Sequence, residues 1–360
     1  MGFTEVRSFN FRNLENLRIC PDTKTVLFVG ENGQGKTNYL ELLYILCFGS
    51  SFRTRRDPHF IRHGMKEMSL QGTLETRDGG QWHVKVQVRQ GKKDIFLNDK
   101  RIIDRAELLS LSPCIVFSHE DISFVNGSPD TRRTFFNQTV SICEPIFIDA
   151  LRTYKKILKA RNAALLESRE DLLDIYDVQL IQAGLSIMSR RSETLEEFNK
   201  LLTPLYKEIS ALPEEVSVLY RPSWPVGSDE KVLKEYLKSK REVDKERGVT
   251  VTGPHRDRFS VTLGKVDFNA AASTGQTRLL SLVYRVVQAA RYLEKTGKPP
   301  ILLLDDVLLE LDASRRIRFL ERLPEYEQAF FTFLPDEQYH RYRLDDKKVY
   351  TLVNGRAEEG

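Results

Sequence analysis

A phosphate-binding loop constrains the fold of this 360-residue chain more tightly than any other stretch. Residues 30–37 read GENGQGKT and fit the pattern G-x-x-x-x-G-K-[ST] at every position. They follow the apolar run at residues 26–29 and open a helical pattern near Lys36. Glycines in such a loop let backbone amides point at phosphate oxygens, beside the positive end of the helix dipole. The sequence therefore predicts an α/β core built around a nucleotide.

Two residues of the loop have separate chemical roles. Lys36 is expected to reach the β- and γ-phosphates as a point charge, and the Thr37 hydroxyl is expected to be a ligand of Mg²⁺. The predicted nucleotide-binding residues of the loop are Gly30, Glu31, Asn32, Gly33, Gln34, Gly35, Lys36 and Thr37.

A polar pair lies between two short alternating segments ahead of the loop. Arg12 and Asn13 occupy the connection between residues 3–6 and residues 14–19. From there the pair can reach the nucleotide, or Asn13 can be an ordinary turn residue. The sequence leaves both interpretations open.

Composition restricts the setting of the protein. No run approaches the roughly 18 apolar residues of a membrane span, and residues 1–12 lack the apolar core of a signal peptide. The four cysteines are far apart and form no C-x-x-C, which disfavours a zinc or redox site. We expect a soluble cytoplasmic protein with reduced thiols and no membrane partner.

Basic residues cluster directly after the loop helix. The formal net charge of +4 is too small to indicate nucleic-acid binding by itself, so the local clustering has to carry that argument. Lys and Arg neutralise nucleic-acid phosphates whatever the base sequence. The stretch is either a DNA-facing patch or a solvated surface, and its candidate DNA-binding residues are Arg53, Arg55, Arg56 and Arg62.

The middle of the chain changes its periodicity twice. Residues 68–103 alternate with period two between turns and predict an antiparallel β-meander. Two runs of apolar residues with near-heptad spacing follow within residues 148–210 and predict two antiparallel helices of about 30 residues, each roughly 45 Å long. The helices form either a projecting arm or a compact helical subdomain. The expected domains are residues 1–118, 119–250 and 251–360.

Two polar segments in the last hundred residues suit the same chemistry. Ser273, Thr274, Gly275 and Gln276 precede a helical run and form either a second anion-facing helix end or an ordinary capped helix. Asp305 and Asp306 follow a buried aliphatic strand, at the end where ligands bind in open α/β sheets. Asp305 fits a Walker B role and binds Mg²⁺ through water, whereas Asp306 is placed to orient or deprotonate the attacking water.

These motifs together resemble the head of an ABC-type ATPase of the SMC-like group, and more narrowly the bacterial recombination mediators within that group. Further support comes from a Glu-Asp pair at residues 120–121, the segment TGPHRD at residues 252–257 and the ELD triplet at residues 310–312. The resemblance implies an ABC-ATPase head with a mixed sheet around the phosphate-binding loop, a β-meander insert and an α-helical arm. His119, Asn137 and Leu309 depart from the usual Pro, Asp and small residue of the family.

The resemblance also implies how the protein works. Two protomers sandwich two ATP molecules, and residues 273–276 of one chain close on the γ-phosphate that Lys36 and Thr37 of the other hold. The expected partners are a second copy of the chain, double-stranded DNA near single-strand gaps, and RecR with RecO, which together deliver RecA. Hydrolysis is expected to be slow and to reset the dimer.

Other proteins with a phosphate-binding loop fit less well. No [NT]-K-x-D guanine motif is present, a transporter subunit would not need the meander, and a chromosome-structuring SMC protein needs a longer coiled coil. A zinc-hook repair ATPase would carry a C-x-x-C. The alternatives left are another SMC-like DNA clamp, whose ATP site only sets its oligomeric state, and a P-loop enzyme that acts on a small molecule.

Overall fold

The computed structural model describes residues 2–54, 57–76, 79–111, 113–337, 339–342 and 346–360. Among these residues, no helix combines the length and the apolar composition needed to cross a membrane. The elements in chain order are β1 (Gly2–Phe9), β2 (Leu17–Ile19), β3 (Thr25–Val29), α1 (Lys36–Phe48), β4 (Glu67–Glu75), β5 (Gln81–Arg89), β6 (Lys92–Leu97), β7 (Lys100–Ile102), α2 (Ala106–Leu111), β8 (Cys114–Phe117), α3 (Ile122–Asn126), α4 (Pro129–Cys143), α5 (Ile146–Leu166), α6 (Glu170–Ser210), β9 (Val216–Arg221), α7 (Glu230–Arg247), β10 (Arg258–Leu263), β11 (Val266–Asp267), α8 (Phe268–Ala271), α9 (Thr274–Thr296), β12 (Ile301–Leu304), α10 (Ala313–Glu321), β13 (Gln328–Phe333), β14 (Lys347–Val353) and β15 (Arg356–Glu359).

The chain forms two compact units. The first consists of Met1–Asp121 with Leu282–Gly360, and the second of Ile122–Ser281. The division falls at residues 121 and 281, whereas the sequence suggested boundaries at 118 and 250. Strand pairing explains the second difference, because β10 pairs antiparallel with β9 and β11 in a three-stranded sheet, which keeps residues 258–267 with the helical unit.

A mixed sheet forms the base of the first unit. Its strand order is β15-β14-β3-β13-β12-β8, in which β15 alone runs antiparallel to its neighbour. Every residue of β3, β8, β12 and β13 is buried, as the uninterrupted apolar runs predict for strands covered on both faces. The carboxyl ends of the parallel strands β3 and β12 therefore meet at the same edge, and each is followed by one of the predicted site segments.

A second sheet of the first unit is antiparallel throughout. Its order is β2-β1-β4-β5-β6-β7, so the meander predicted from the period-two pattern is confirmed. β4 buries every second residue, and this alternation is typical of a sheet with one face on the core. The N-terminal strand β1 pairs with β4, which places the start of the chain in this sheet.

Helix α1 is covered on most of its sides. It contacts β4 and β5 of the antiparallel sheet as well as β8 and β13 of the mixed sheet. The helix buries nine of its 13 residues, as an almost uniformly apolar helix requires. The phosphate-binding loop is thereby anchored at the start of one of the best-packed elements of this unit.

The second unit is built on two helices of unequal length. α5 has 21 residues and α6 has 41, so the expectation of two helices of about 30 residues was wrong. At 1.5 Å per residue the helices are roughly 32 and 62 Å long. The chain turns between them around Ser168, whose φ of 54° ends the helical path. The guanidinium of Arg161 ties the unit together, because it donates at 2.7 Å to both Asp177 of α6 and Asp244 of α7.

Candidate functional site

The loop between β3 and α1 owes its shape to glycine. Gly33 and Gly35 have φ values of 82° and 101°, a region that other residue types rarely adopt. At Gly35 a Cβ would also lie 2.8 Å from a methyl carbon of Leu14. Gly35 is the N-cap of α1 and has no side chain to cap the helix. The first amides of α1 are therefore left for an external acceptor.

Lys36 is almost fully buried at the start of α1, with 4% of its side chain exposed. Its ammonium group donates to the Gly30 carbonyl at 2.8 Å, which stretches the side chain back across the loop. The Nζ atom also lies 3.8 Å from Oδ1 of Asp306. The structure thus joins the lysine of the loop to the carboxylate pair that follows β12.

Thr37 and Asp305 are in direct contact. The Thr37 hydroxyl donates to Oδ1 of Asp305 at 2.9 Å. Burial and the neighbouring Asp306 charge raise the pKa of Asp305 to about 6, against the hydrogen bonds from Thr37 and Thr332. Within the described ranges, no cation forms an ion pair with Asp305. A hydroxyl beside such a carboxylate is a donor set that suits Mg²⁺, which usually takes one or two protein ligands and completes its shell with water and phosphate.

Asp306 is held by one side chain of the neighbouring strand. Its backbone has a φ of 51°, in the left-handed region that Asp tolerates better than most residues. The Asp306 amide donates to the Thr332 hydroxyl at 2.7 Å, and that hydroxyl lies 2.9 Å from Oδ1 of Asp306. Thr332 belongs to β13, so the adjacent strand fixes both the backbone and the carboxylate of Asp306.

The polar pair ahead of the loop lies against the loop and its helix. The Asn13 amide group donates to the Gly33 carbonyl at 3.2 Å and accepts from Asn38 at 2.6 Å. The Arg12 guanidinium forms two hydrogen bonds to the carboxylate of Glu41, at 2.7 and 3.0 Å. Asn13 therefore supports the loop conformation, while Arg12 is paired with a carboxylate on α1.

The basic stretch is only partly described. The Arg53 guanidinium donates to Asn38 at 2.8 Å and lies 3.4 Å from Glu41, and its charge slightly opposes the rise in the pKa of Asp305 that burial and Asp306 cause. Arg62 donates to the Leu14 carbonyl. Arg55 and Arg56 lie outside the described residues. The two described arginines thus contact the chain itself, and Arg53 does so beside the nucleotide loop.

Three polar residues of this region were missed in the sequence. Asn38 and Glu41 are spaced i, i+3 on α1, where every other residue after Thr37 is apolar or aromatic, and Glu41 is fully buried. The spacing of these two polar residues is the sequence signal that could have indicated them.

Burial raises the pKa of Glu337, whereas the hydrogen bond from the Leu334 amide and the Arg316 charge lower it. The smaller effects of the Asp306 and Lys36 charges indicate that Glu337 lies near the same site. No local pattern indicated Glu337, which follows β13.

The segment at residues 273–276 starts α9 and belongs to the second unit. Ser273 and Gln276 form a capping box: the Gln276 amide donates to the Ser273 hydroxyl at 3.2 Å, and the Ser273 amide donates to Oε1 of Gln276 at 2.8 Å. Ser273, Thr274 and Gly275 are exposed. A Cβ at Gly275 would meet no atom nearer than 4.0 Å, so packing within the described chain does not require glycine there.

The three departures from the family pattern have separate surroundings. His119 is hydrogen-bonded to Glu310, and Asn137 accepts from the Arg191 guanidinium at 3.0 Å. Leu309 is exposed. None of these residues contacts the loop at residues 30–37 through a hydrogen bond or ion pair that the structure records.

Relatives of this chain are found along its whole length. The family described as the RecF/RecN/SMC N terminal domain matches residues 3–354. A DNA replication and repair protein RecF of Treponema pallidum (strain Nichols) is 40% identical over 352 residues, which cover 98% of this chain and 99% of the relative. A protein of the same name from Clostridium perfringens (strain SM101 / Type A) is 32% identical over 364 residues and covers 99% of this chain and 100% of its own.

Solved structures agree with these relatives. The structure of the recombination mediator protein RecF-ATP in the RecFOR pathway has a TM-score of 0.90 and 26% identity, and covers 99% of this chain and 97% of its own. An Smc head bound to the C-winged helix domain of ScpA has a TM-score of 0.60 at 15% identity, over 100% of this chain and 97% of that one. The second likeness shows a shared ATPase-head fold alone.

Proposed function

Because this chain belongs to the RecF family of SMC-like ABC ATPases, we propose that it is an ATP-dependent DNA-binding protein of recombinational repair. The observation that carries the proposal is the convergence of Lys36, Thr37, Asp305 and Asp306 at the carboxyl edge of the mixed sheet. The loop sequence alone specifies a phosphate site. The carboxylate pair beside it supplies the further groups that ATP hydrolysis needs.

The loop binds the triphosphate. The uncapped amides at the start of α1 point toward the phosphates, and residues 30–37 surround them. Lys36 exchanges its hydrogen bond with the Gly30 carbonyl for phosphate oxygens. Asn13 holds the carbonyl of Gly33, which keeps the loop in its curled form. ATP is the ligand we assign, since the loop fits a triphosphate and a structure of a related protein is described as RecF-ATP.

Thr37 and Asp305 are the residues that would hold Mg²⁺. Bound there, the ion would neutralise charge on the β- and γ-phosphate oxygens. Asp306 orients the attacking water and accepts its proton, and Thr332 positions Asp306 for that role through the two hydrogen bonds described above. Asp306 is therefore the catalytic carboxylate and Thr332 a positioning residue.

A second copy of the chain completes the site. Residues 273–276 form an exposed, capped helix end whose glycine has open space around it. We assign this end to the γ-phosphate held by the other protomer, because an exposed helix N-terminus that carries a glycine can approach an anion closely. ATP then links the two protomers, and hydrolysis lets them separate.

The biological partners follow from the family. The solved RecF structures are described as recombination mediators in the RecFOR pathway. We extend this to the present chain as binding of duplex DNA near single-strand gaps, with RecR and RecO, for delivery of RecA. Arg55 and Arg56 remain DNA-binding candidates of the basic stretch, while the contacts of Arg53 favour a role beside the nucleotide.

Fluorescence anisotropy on a gapped duplex tests the proposal. We expect the wild-type chain to bind DNA tightly with ATP and Mg²⁺ and weakly with ADP or without nucleotide. Lys36→Ala removes the point charge at the phosphates and should bind DNA equally weakly in all three conditions. Wild-type DNA affinity that does not respond to ATP would contradict the proposed cycle.

A further inference from the structure

Four arginines of the second unit line one cavity of about 440 Å³. Three of them lie in β9, α7 and β10, and the fourth lies in the turn that precedes β10. Arg221 ends β9, Arg247 ends α7, and Arg258 begins β10. Arg256 lies in the 3₁₀ turn Pro254–Arg256 immediately before β10. The fold therefore gathers at one place four cations that are up to 37 residues apart in sequence.

None of the four guanidinium groups is neutralised within the part of the chain that the structure describes. All four residues are exposed, and no carboxylate of the described ranges lies within ion-pair distance of them. Other exposed arginines of the unit differ in this respect, because Arg152 pairs with Asp149 at 2.9 Å and Arg169 pairs with Asp171 at 3.0 Å. The cavity is thus a site of uncompensated positive charge.

The acid that sits between two of these arginines in sequence faces inward. Asp257 is fully buried, accepts from the Arg191 guanidinium at 2.8 Å, and accepts from the Ser223 amide at 2.8 Å. Its negative charge therefore interacts with buried groups inside the unit. The triplet at residues 256–258 therefore places its carboxylate inside and its two guanidinium groups outside.

Two of the arginines also face each other across the sheet. Arg221 and Arg258 are register partners in the antiparallel pair β9–β10. Like charges directly opposite on neighbouring strands destabilise a sheet, and a bound anion removes that cost. Salt can screen such a pair, but a fixed phosphate between the guanidinium groups neutralises it and adds hydrogen bonds.

We propose that this arginine cavity, defined by Arg221, Arg247, Arg256 and Arg258, binds the phosphate backbone of duplex DNA. Guanidinium groups match phosphate oxygens with paired, charge-assisted hydrogen bonds. The cavity lining contains no aromatic residue among those described, so it offers no platform on which unpaired bases would stack. The inference rests on the proposed function and adds to it a DNA contact in the second unit.

The salt dependence of DNA binding tests this contact. Each phosphate neutralised on duplex DNA contributes about 0.9 to the slope of log affinity against log salt. In the full-length protein with ATP and Mg²⁺, Arg256→Gln with Arg258→Gln should lower the slope by about 2 and weaken binding alike for all duplex sequences. Arg221→Gln with Arg247→Gln should do the same.

A matched control separates local contact from total charge. Arg152→Gln with Arg169→Gln removes the same charge from the surface of the same unit, and we expect the wild-type slope. Thermal unfolding and ATP-dependent dimerisation are measured on all variants. No cavity variant should unfold at a lower temperature or dimerise less than the wild type, because the structure records no hydrogen bond or ion pair between a cavity arginine side chain and another described residue.

The experiment distinguishes failure of the proposed function from failure of the arginine cavity as a DNA contact. If the wild-type chain does not bind duplex DNA with ATP, the proposed function itself fails. If the wild type binds DNA and both cavity variants keep its slope and affinity, only the arginine cavity is refuted as a DNA contact. The cavity is refuted in the same way if its variants lose binding to an acidic protein while their DNA slope stays unchanged.

Discussion

Replacing Thr332 by valine tests how Asp306, the proposed catalytic carboxylate, is positioned. Valine has nearly the shape of threonine and suits a buried strand, so the change removes the hydroxyl without opening a cavity. Thr332 has 4% of its surface exposed, and its hydroxyl accepts from the Asp306 amide at 2.7 Å. The variant therefore leaves that amide without its acceptor.

The size of the effect follows from these contacts. An amide that loses its buried partner costs about 1–3 kcal/mol. The left-handed backbone of Asp306 adds to this, because it costs roughly 1–2 kcal/mol and persists only where hydrogen bonds hold it. We expect Thr332→Val to lose about 2 kcal/mol of unfolding free energy. If half of that, about 1 kcal/mol, is orientation lost at Asp306, hydrolysis slows about fivefold.

Thr332→Ser is the control for stability. Serine keeps the hydroxyl and loses one methyl group, which costs about 1 kcal/mol in a buried position. In urea unfolding, Thr332→Ser should thus be destabilised by about half as much as Thr332→Val. Single-turnover ATP hydrolysis should separate them, with Thr332→Ser near the wild-type rate and Thr332→Val well below it.

The positioning role is refuted by a simple result. A Thr332→Val protein that hydrolyses ATP at the wild-type rate would show that the hydroxyl does not hold Asp306 in its working geometry. Equal loss of activity in both variants would assign the effect to stability alone.

Two further predictions concern different parts of the chain. Asp306→Asn should keep ATP-dependent dimerisation and lose ATP hydrolysis, because the amide cannot accept a proton from water; single-turnover hydrolysis at the normal rate would remove Asp306 as the catalytic carboxylate. The pKa of His255 is lowered to about 4, chiefly by burial, and its ring nitrogens contact the Tyr154 hydroxyl and the Thr250 carbonyl. The unfolded chain binds a proton near pH 6.5 and the folded chain does not, so this residue should cost about 3 kcal/mol of stability as pH falls from 6.5 to 4. His255→Gln should flatten that part of the urea stability profile, and an unchanged profile would count against the buried neutral ring.

The sequence predicted the nucleotide loop and the carboxylate pair because both depend on local order. A strand, a glycine loop and a helix follow one another within residues 25–48, and Asp305 follows a strand whose apolar run is uninterrupted. Thr332, by contrast, lies on the neighbouring strand β13, so its contact with Asp306 depends on the pairing of β12 with β13. That pairing brings together residues 26 positions apart and has no local signal.

The helical unit shows that the period of an apolar pattern does not predict where helices end or how they pack. The near-heptad pattern predicted two helices, but the chain turns around Ser168 without a glycine or proline to mark the place. The hydrogen bonds of Arg161 to Asp177 and Asp244 depend on how three helices pack, which a one-dimensional pattern does not specify. The placement of residues 258–267 followed in the same way from strand pairing rather than from distance along the chain.

The segment at residues 273–276 has a clear local sequence signal, but its proposed role depends on a contact with another chain. Its serine and glutamine form a capping box that any isolated helix could use, so the ordinary interpretation of the motif is physically sufficient. The open surroundings of Gly275 are the feature that this interpretation leaves unexplained. An assignment to a second protomer needs a measurement on the assembled protein.

Light scattering with and without ATP and Mg²⁺ makes that measurement for the wild type and for Ser273→Arg. We predict that ATP doubles the mass of the wild-type particle, while Ser273→Arg binds ATP normally and keeps the mass of one chain, because a bulky side chain at this exposed helix end obstructs approach of the second copy. A Ser273→Arg protein that doubles its mass with ATP as the wild type does would contradict the composite site.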